Sequence, residues 1–442
     1  MSFTSQQTWQ ADIGFGLIIV SYLLLVFGSP MPIKIGAIEI VMGVGLIIGS
    51  LLLGYSLIAR KDENLILPAL CIAYFLLIPL MVGVARGNNF SDIARDIAPL
   101  MFMVVLPFLF RFLPQDRSAP KLRALLVAVL IVGLVSALQF HLGIVKLFGS
   151  MDTYISKYDL APASPEKGVS NNITFTLNLF GLGDADYQTF LLKCQDPAIL
   201  FSAIYLLCTG IAFILVKPRR FFLGLLALGG GSFCFYEFSA LGMRAFSGLT
   251  VLAIIIYALY LVRSKKVPVG NLIVGGIFGL LLTYTQIINF AVQMWEKNQA
   301  NGLSGRPAEL YAAFDAISEN VITLLFGVGW GGLLTNPIYH GAITRYTHSL
   351  FSFWLFKTGV VGFAMLVLFV ILLFRRVNLK GVWSSSHRLA VFLAASAVII
   401  IGLFFEPTYK MLGFGLIVGL LLAELSLPTV PGQEMNTGKK PV

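Results

Sequence analysis

"PAILFSAIYLLCTGIAFILV", residues 197–216, indicates the fold class, because it is a long apolar run without one charged side chain. An α-helix of about 20 apolar residues spans the hydrocarbon core of a bilayer, which is roughly 30 Å thick. Similar runs recur along almost the whole chain, which is 57% hydrophobic and only 12% charged. Soluble domains carry about 25% charged residues, so the sequence predicts an all-α, polytopic integral membrane protein.

The apolar runs predict about twelve transmembrane helices, of which the fourth is the weakest because Arg95 and Asp96 fall in its first turn. No basic segment precedes the first run, so no cleavable signal peptide is expected. The approximate limits are 12–28, 36–58, 65–85, 93–112, 122–143, 197–216, 221–241, 245–262, 268–290, 353–374, 389–405 and 411–427. They divide the chain into helices one to five (1–143), a loop (144–196), helices six to nine (197–290), a second loop (291–351), and the last three helices with a tail (352–442).

The distribution of basic residues predicts the orientation in the membrane. More than half of the 31 Lys and Arg residues fall in one set of short connections and in the C-terminal tail. Because cytoplasmic loops carry an excess of Lys and Arg, both termini are expected to be cytoplasmic and both long loops to lie outside. The net charge of +10 is mostly this inside charge, so nucleic-acid binding is not indicated.

The first long loop contains Asp184 and Asp186 as a D-x-D pair in "GLGDADYQTF", residues 181–190. Carboxylates at this spacing can share a divalent cation, but the pair is a very common string that is more typical of an Asp-rich turn. Nothing in the sequence places a third ligand beside them. The turn is therefore the favoured interpretation, and no metal site is predicted.

The second long loop contains "LSGRPAELYAAF", residues 303–314, which predicts a short helix opened by Pro307. Arg306 would lie beside the free N–H groups and the positive end of the helix dipole, an arrangement suited to phosphate or diphosphate. Alternatively, Arg306 pairs with Glu309 or with a lipid head group. One face is predicted to carry Leu310, Tyr311, Phe314 and Ile317, with Glu309, Asp315 and Glu319 elsewhere.

"LLFGVGWGGLL", residues 324–334, follows, and its glycines predict a tight bend with close backbone packing. Trp330 within it is expected either to stack on a sugar or to lie in an interfacial aromatic belt. In the next segment Thr347 is predicted to cap a helix, with His348 in its first turn. Histidine is the side chain best able to take up a proton near neutral pH, so His348 is a candidate base or a structural residue. The nearby alternatives are His340, Arg345 and Lys357.

Four further polar residues lie at or near the outer ends of predicted helices. Arg244, in "SALGMRAFSG" at residues 239–248, occupies the turn between helices seven and eight. It either contacts a ligand or extends to lipid head groups. Glu237, deeper in helix seven, could neutralise Arg244, orient a ligand or bond to a neighbouring helix. Glu406 and Lys410 flank another outer turn, where they are expected to pair locally.

The run "LSGR…LLFGVGWGG…THSLFSFWLFKTGVVG", within residues 303–362, resembles the C-terminal signature of the O-antigen ligase and O-antigen polymerase superfamily. "GMRAFSG" at 242–248 resembles that superfamily's earlier arginine-bearing turn. About twelve helices with a large outer loop before the last three complete the resemblance. The chain departs from the pattern where the superfamily often has His-Asn and this sequence has His348-Ser349.

The resemblance implies a GT-C-like fold with a large periplasmic loop containing short helices, in the bacterial inner membrane. It implies a metal-independent, inverting glycosyltransferase without a cofactor, whose donor is an undecaprenyl-diphosphate-linked glycan. Arg244 and Arg306 would hold the donor diphosphate, and His348 would be the catalytic base. Arg345, Glu237 and Trp330 are further candidates for supporting roles. Expected partners besides the donor are a glycan or lipid A-core acceptor, membrane lipids and a chain-length regulator.

Three functions remain as alternatives. A polymerase would join repeat units of O-antigen or exopolysaccharide, and this function is favoured. A ligase would transfer the finished glycan to lipid A-core with the same donor and the same site residues. A transporter would show internal repeats and broken helices near the bilayer midplane, and no convincing repeat is evident in the sequence.

Overall fold

The computed structural model describes residues 5–28, 37–59, 62–113, 118–151, 153, 174–176, 184–186, 194–270, 292, 295, 299, 306–337, 342–375 and 377–427. Among these residues, ten helical segments are long and apolar enough to cross a membrane. Regular strands in the same part of the chain are limited to two short antiparallel pairs. The protein is therefore an all-α, multi-pass membrane protein, as the composition predicts.

The described helices are α1 (Ser5–Leu23), α2 (Ala37–Ile58), α3 (Ile66–Ala85), α4 (Phe90–Leu100), α5 (Leu106–Arg111), α6 (Ser118–Phe148), α7 (Pro197–Val216), α8 (Phe221–Ala240), α9 (Arg244–Arg263), α10 (Arg306–Ile317), α11 (Val321–Phe326), α12 (Leu350–Phe374), α13 (Ser386–Phe404) and α14 (Leu412–Ser426). A π-helical turn, Met101–Val105, joins α4 and α5 into one crossing. Strand β1 (Thr174–Thr176) pairs with β2 (Asp184–Asp186), and β3 (Leu334–Asn336) pairs with β4 (Ala342–Thr344).

Predicted helices one to eight, ten and eleven correspond to these ten crossings. The predicted ninth helix, 268–290, lies almost entirely outside the described residues. The predicted twelfth corresponds to α14, which has only 15 residues and is shorter than the others. The fifth extends past its predicted end at 143 to Phe148, so the first long loop begins later than expected. Most of that loop lies outside the described residues.

Two contacts fix which helix ends lie together. The ring of Tyr260, near the end of α9, is centred 6.0 Å from that of Trp383, which precedes α13. Arg111 Nε, at the end of α5, donates a hydrogen bond of 2.9 Å to the Leu373 carbonyl near the end of α12. The opposite end of the bundle carries residues 86–90, 241–244, 306–337, 342–350 and 405–412, and we call it the loop end.

The segment 327–333 packs directly against the backbones of α3 and α12, as its glycines predict. The N–H of Trp330 donates to the Pro79 carbonyl over 3.0 Å, and that of Val328 donates to Phe356 over 3.0 Å. Gly329 has a φ of +76°, and a Cβ at this position would lie 2.3 Å from the backbone nitrogen of Gly83. Only glycine combines this backbone conformation with such a close approach.

Trp330 is fully buried, so the sequence-based expectations of an interfacial or sugar-stacking tryptophan are wrong. Its indole N–H donates to the Phe75 carbonyl over 3.1 Å, and its ring lies 6.0 Å from that of Trp354. The hydrogen bond satisfies the one polar atom of a large buried side chain. Trp330 therefore anchors segment 327–333 to α3 and α12.

A buried ion pair completes this anchor. Lys357 Nζ lies 2.5 Å from Asp96 Oδ2 and 2.6 Å from the Gly332 carbonyl oxygen, while the Gly331 N–H donates to Asp96 over 2.8 Å. Both charged side chains are almost completely buried, at 0% and 2% exposure. Buried charges are tolerated when they are paired and hydrogen-bonded. The pair thus joins α4, α12 and segment 327–333.

We expect Gly329→Ala to lower the free energy of unfolding by at least about 1–3 kcal/mol, because a non-glycine residue is strained at this φ and its Cβ would clash with Gly83. Thermal unfolding in detergent measures this effect. Gly43→Ala is the matched control, since a Cβ there meets nothing within 4 Å and alanine favours the helix. Equal melting temperatures for the two variants would contradict the packing described.

We also expect Lys357→Met to lower the free energy of unfolding by about 3–5 kcal/mol, because it leaves the Asp96 carboxylate buried without its counter-charge. The double variant Asp96→Asn with Lys357→Met is expected to recover much of that loss, since neither charge remains. The same unfolding measurement compares the two. A double variant less stable than the single one would show that the two residues do not act as a pair.

Candidate functional site

Glu309 is the centre of a hydrogen-bonded cluster at the loop end. It lies in the first turn of α10 and is 1% exposed. Its Oε2 accepts the backbone N–H of His348 over 2.8 Å, and its Oε1 lies 3.0 Å from His348 Nδ1. Asn336 Nδ2 donates to the same Oε1 over 2.6 Å. One carboxylate therefore fixes both the backbone and the ring of His348.

The carboxylate selects the tautomer of the His348 ring. A carboxylate oxygen accepts, so Nδ1 of His348 donates to Glu309, and Nε2 of a neutral ring then keeps the lone pair. The nitrogen that can accept a proton is thus the one directed away from Glu309. This is the arrangement in which a carboxylate orients a histidine base.

The Glu309 carboxyl is held in its ionised form. Burial alone would raise its pKa, but the hydrogen bonds and charge of His348, together with the bond from Asn336, outweigh burial and lower the pKa from its ordinary value. A buried carboxylate that accepts three hydrogen bonds is well solvated by the protein. Glu309 is therefore an acceptor at neutral pH, as the orientation of His348 requires.

The backbone around His348 is fixed from a second side. Tyr409 OH donates to the Thr347 carbonyl over 2.8 Å. Burial raises the pKa of the Tyr409 phenol well above its ordinary value, so the group remains a neutral donor. The predicted capping role of Thr347 is wrong: Ser349 caps α12, accepting the N–H of Ser352 over 3.1 Å. His348 consequently precedes the helix instead of lying in its first turn.

Arg306 is the first residue of α10, one helical turn before Glu309. Its Nη2 lies 3.2 Å from Glu406 Oε1, and both side chains are partly exposed, at 21% and 26%. The pairing of Arg306 with Glu309 that the sequence allows does not form, because Glu309 is directed at His348. The expected pairing of Glu406 with Lys410 is replaced by the contact of Glu406 with Arg306.

Two further cations lie in the same region. Arg345 Nε is 3.3 Å from Asp92 Oδ1, which ties the segment before His348 to α4. Lys410 Nζ lies 4.1 Å from the centre of the Tyr346 ring and 4.9 Å from that of Phe353. The structure thus brings the candidates Arg306, Arg345 and His348 to one end of the bundle.

Arg244 and Glu237 lie on the α6, α8 and α9 side of the bundle. Arg244 is the first residue of α9, so it belongs to the loop end. Glu237 is fully buried in α8, and its Oε1 lies 2.9 Å from His141 Nδ1 of α6. Asp184 and Asp186 of the D-x-D pair fall in strand β2 and not in the expected Asp-rich turn. His340 lies outside the described residues.

Glu309 and its partner Asn336 are the site residues that sequence reasoning missed. The predicted apolar face of α10 is not its buried face, because Tyr311 and Phe314 are 69% and 47% exposed. The buried residues are Glu309, Ala313 and Ile317, which follow the spacing of one helix face. The spacing of Glu309, Ala313 and Ile317 at four-residue intervals was the feature of the sequence that could have indicated a buried Glu309. No feature of the sequence indicated that Asn336 belongs to the site.

No protein-family model matches the chain, and no curated protein sequence matches it.

Glu309→Gln is expected to remove a pH-dependent contribution to stability. The pKa of the Glu309 carboxyl in the folded state is below its ordinary value of 4.5. Ionisation of this carboxyl therefore stabilises the fold above pH 4.5, and the stabilisation is lost as the pH falls through the lowered pKa. The difference in melting temperature between wild type and variant should therefore narrow below about pH 4.5. Asp315→Asn, an exposed carboxylate on the same helix, is the control. A difference that widens on acidification would contradict the assignment.

Proposed function

We propose that the protein is a membrane glycosyltransferase that transfers an undecaprenyl-diphosphate-linked glycan to an acceptor hydroxyl. The proposed reaction is the polymerisation of O-antigen or exopolysaccharide repeat units at the periplasmic face of the bacterial inner membrane. The observation that carries the proposal is the pairing of Glu309 with His348, with Arg306 one helical turn away. Such a site combines a base of fixed orientation with a nearby cation.

The proposed base step follows from the tautomer. His348 Nε2 accepts the proton of the acceptor hydroxyl as its oxygen attacks the anomeric carbon of the donor sugar. The bond between that carbon and the diphosphate oxygen breaks, and undecaprenyl diphosphate leaves with the bonding electron pair. Attack opposite the leaving group inverts the anomeric configuration. A positioned base contributes about 10²–10⁴-fold to such a step.

Arg306 is proposed to stabilise the diphosphate as negative charge develops on it. A guanidinium binds phosphate oxygens through two parallel hydrogen bonds, and the first turn of α10 adds backbone N–H groups and a favourable dipole. The contact with Glu406 is partly exposed, so an arriving diphosphate can compete for the guanidinium. Arg244 is proposed as a second cation, supported by its place at the loop end.

The distribution of basic residues supports the proposed orientation of the loop end in the membrane. Basic residues at positions 111, 219, 220, 263 and 375 lie at the end of the bundle opposite the loop end. Because an excess of Lys and Arg marks the cytoplasmic side, the loop end is proposed to face the periplasm. Lipid-linked glycans are available at that face, where the proposed site would meet both donor and acceptor.

We expect His348→Ala to abolish glycan transfer while leaving donor binding largely intact. Glu309→Gln should reduce kcat by about 10²-fold or more with an unchanged KM for the donor, because it disturbs the base without touching the donor. Transfer assays with purified, reconstituted protein measure both values. Asp315→Asn is the matched control and should behave as wild type. Normal transfer by His348→Ala would refute the base assignment.

We expect Arg306→Ala to raise the donor KM or Kd by about 10–100-fold, because a charge-assisted contact to phosphate is lost. Arg306→Lys should recover only part of the affinity, since lysine lacks the planar fork. The same reconstituted protein, titrated with the lipid donor, provides the measurement. Unchanged donor affinity in Arg306→Ala would remove this residue from the site.

The acceptor distinguishes polymerase from ligase. Gel analysis of lipopolysaccharide from a deletion strain should show core with at most one repeat unit, because the polymerisation step is missing. Accumulation of long polymer on the lipid carrier would instead identify a ligase. Movement of the lipid-linked glycan across vesicles without formation of a glycosidic bond would identify a transporter.

A further inference from the structure

Lys410 lies at the loop end, in the turn Pro407–Lys410 that joins α13 to α14. Its ammonium is half-buried among aromatic rings: 4.1 Å from the ring centre of Tyr346, 4.9 Å from that of Phe353 and 5.9 Å from that of Tyr409. Tyr346 is two residues before His348, and Tyr409 holds the carbonyl of Thr347. Lys410 therefore borders the same backbone that presents the proposed base.

The neighbouring cations already contact carboxylates, whereas Lys410 contacts rings. Lys357 contacts Asp96, Arg345 contacts Asp92, and Arg306 contacts Glu406. Within the part of the chain that the structure describes, no carboxylate oxygen lies within 4.0 Å of Lys410 Nζ. Attraction to aromatic rings is weaker than a direct contact with an anion. The ammonium is thus positioned to accept an anionic partner.

The burial and the neighbouring charges of Lys410 also favour the binding of an anion. Burial lowers the pKa of its ammonium well below the ordinary value, and the charges of Lys357 and Arg345 lower it further, against the attraction of Asp96 and Glu309. A group with this balance becomes more firmly protonated when an anion is placed beside it. An incoming phosphate would supply that charge.

We propose, on the basis of the glycosyltransferase function above, that Lys410 is a binding residue for the donor diphosphate, acting with Arg306 on the leaving group. The turn that carries Lys410 also carries Glu406, the carboxylate that contacts Arg306. A diphosphate between the two cations would replace Glu406 as the partner of Arg306 and would give Lys410 an anionic contact that it does not make with the described residues. The rings of Tyr346 and Phe353 lie close to the Lys410 ammonium and limit the positions that it can adopt.

A lipid-anchored diphosphate can reach this position along the membrane. Lys410 lies between the end of α13 and the start of α14, where the helices leave the apolar part of the bundle. Phe404 and Phe405, just before the turn, are 53% and 40% exposed and offer apolar surface to a prenyl chain. The phosphate groups of a carrier lipid lie at the level of such helix ends. This geometry favours a lipid diphosphate over a soluble one.

The test measures binding of undecaprenyl diphosphate and undecaprenyl monophosphate to the full-length protein in nanodiscs, with and without phosphatidylglycerol. Lys410→Met preserves the volume and removes the charge, and Lys410→Arg preserves the charge. Lys217→Met, an exposed lysine after α7 at the opposite end, is the matched control. Inorganic pyrophosphate is added as a competitor. Melting temperatures confirm that each variant is folded.

Lys410→Met should weaken undecaprenyl diphosphate binding by about 10–100-fold and weaken the monophosphate less. Lys410→Arg and Lys217→Met should bind nearly as wild type, and pyrophosphate should compete. Wild-type affinity for undecaprenyl diphosphate in folded Lys410→Met overturns the role of Lys410 and leaves the proposed function standing. Competition by phosphatidylglycerol alone would assign Lys410 to an ordinary head group and overturn the proposal. Absence of binding in wild type would overturn the donor class, and with it both proposals.

Discussion

Charged groups placed among membrane helices must find partners within the protein, and this constraint organises the loop end. The most demanding case is the Lys357–Asp96 pair, since neither side chain reaches solvent. Its hydrogen bonds to Gly331 and Gly332 hold segment 327–333 between α3, α4 and α12. Removing either charge would leave the other unpaired in a low-dielectric interior. The pair therefore fixes the segment that leads into β3.

The anchor is connected through β3 to the Glu309–His348 pair. Segment 327–333 leads into β3, whose last residue, Asn336, bonds to Glu309. Glu309 in turn holds the ring and backbone of His348, and the bond from Tyr409 fixes the preceding carbonyl. Side chains held by several neighbours keep the geometry that catalysis requires. A scaffold of membrane helices thus supports a polar cluster, whose central residues Glu309, Asn336 and His348 are buried.

Hydropathy alone predicted the ten crossings found among the described residues, because the bilayer imposes a length and a polarity that a spanning helix must match. The bend at Gly329 was also predictable, since glycine runs of this kind permit close backbone contact. The orientation of α10 was not: an apolar face normally points into a soluble core, but beside a membrane Tyr311 and Phe314 can remain outside while Glu309 turns inward to its partners. The contacts of Asn336 and Tyr409 with this site depend on tertiary packing and left no local pattern.

Glycosyl transfer by the purified protein, reconstituted with an undecaprenyl-diphosphate-linked glycan and candidate acceptors, tests the proposed function most directly. We expect one undecaprenyl diphosphate to be released for each glycosidic bond formed, with inversion at the anomeric carbon and dependence on an intact Glu309–His348 pair. Bond formation that continues without this pair, or movement of the donor lipid with no bond formed, would refute the proposed function.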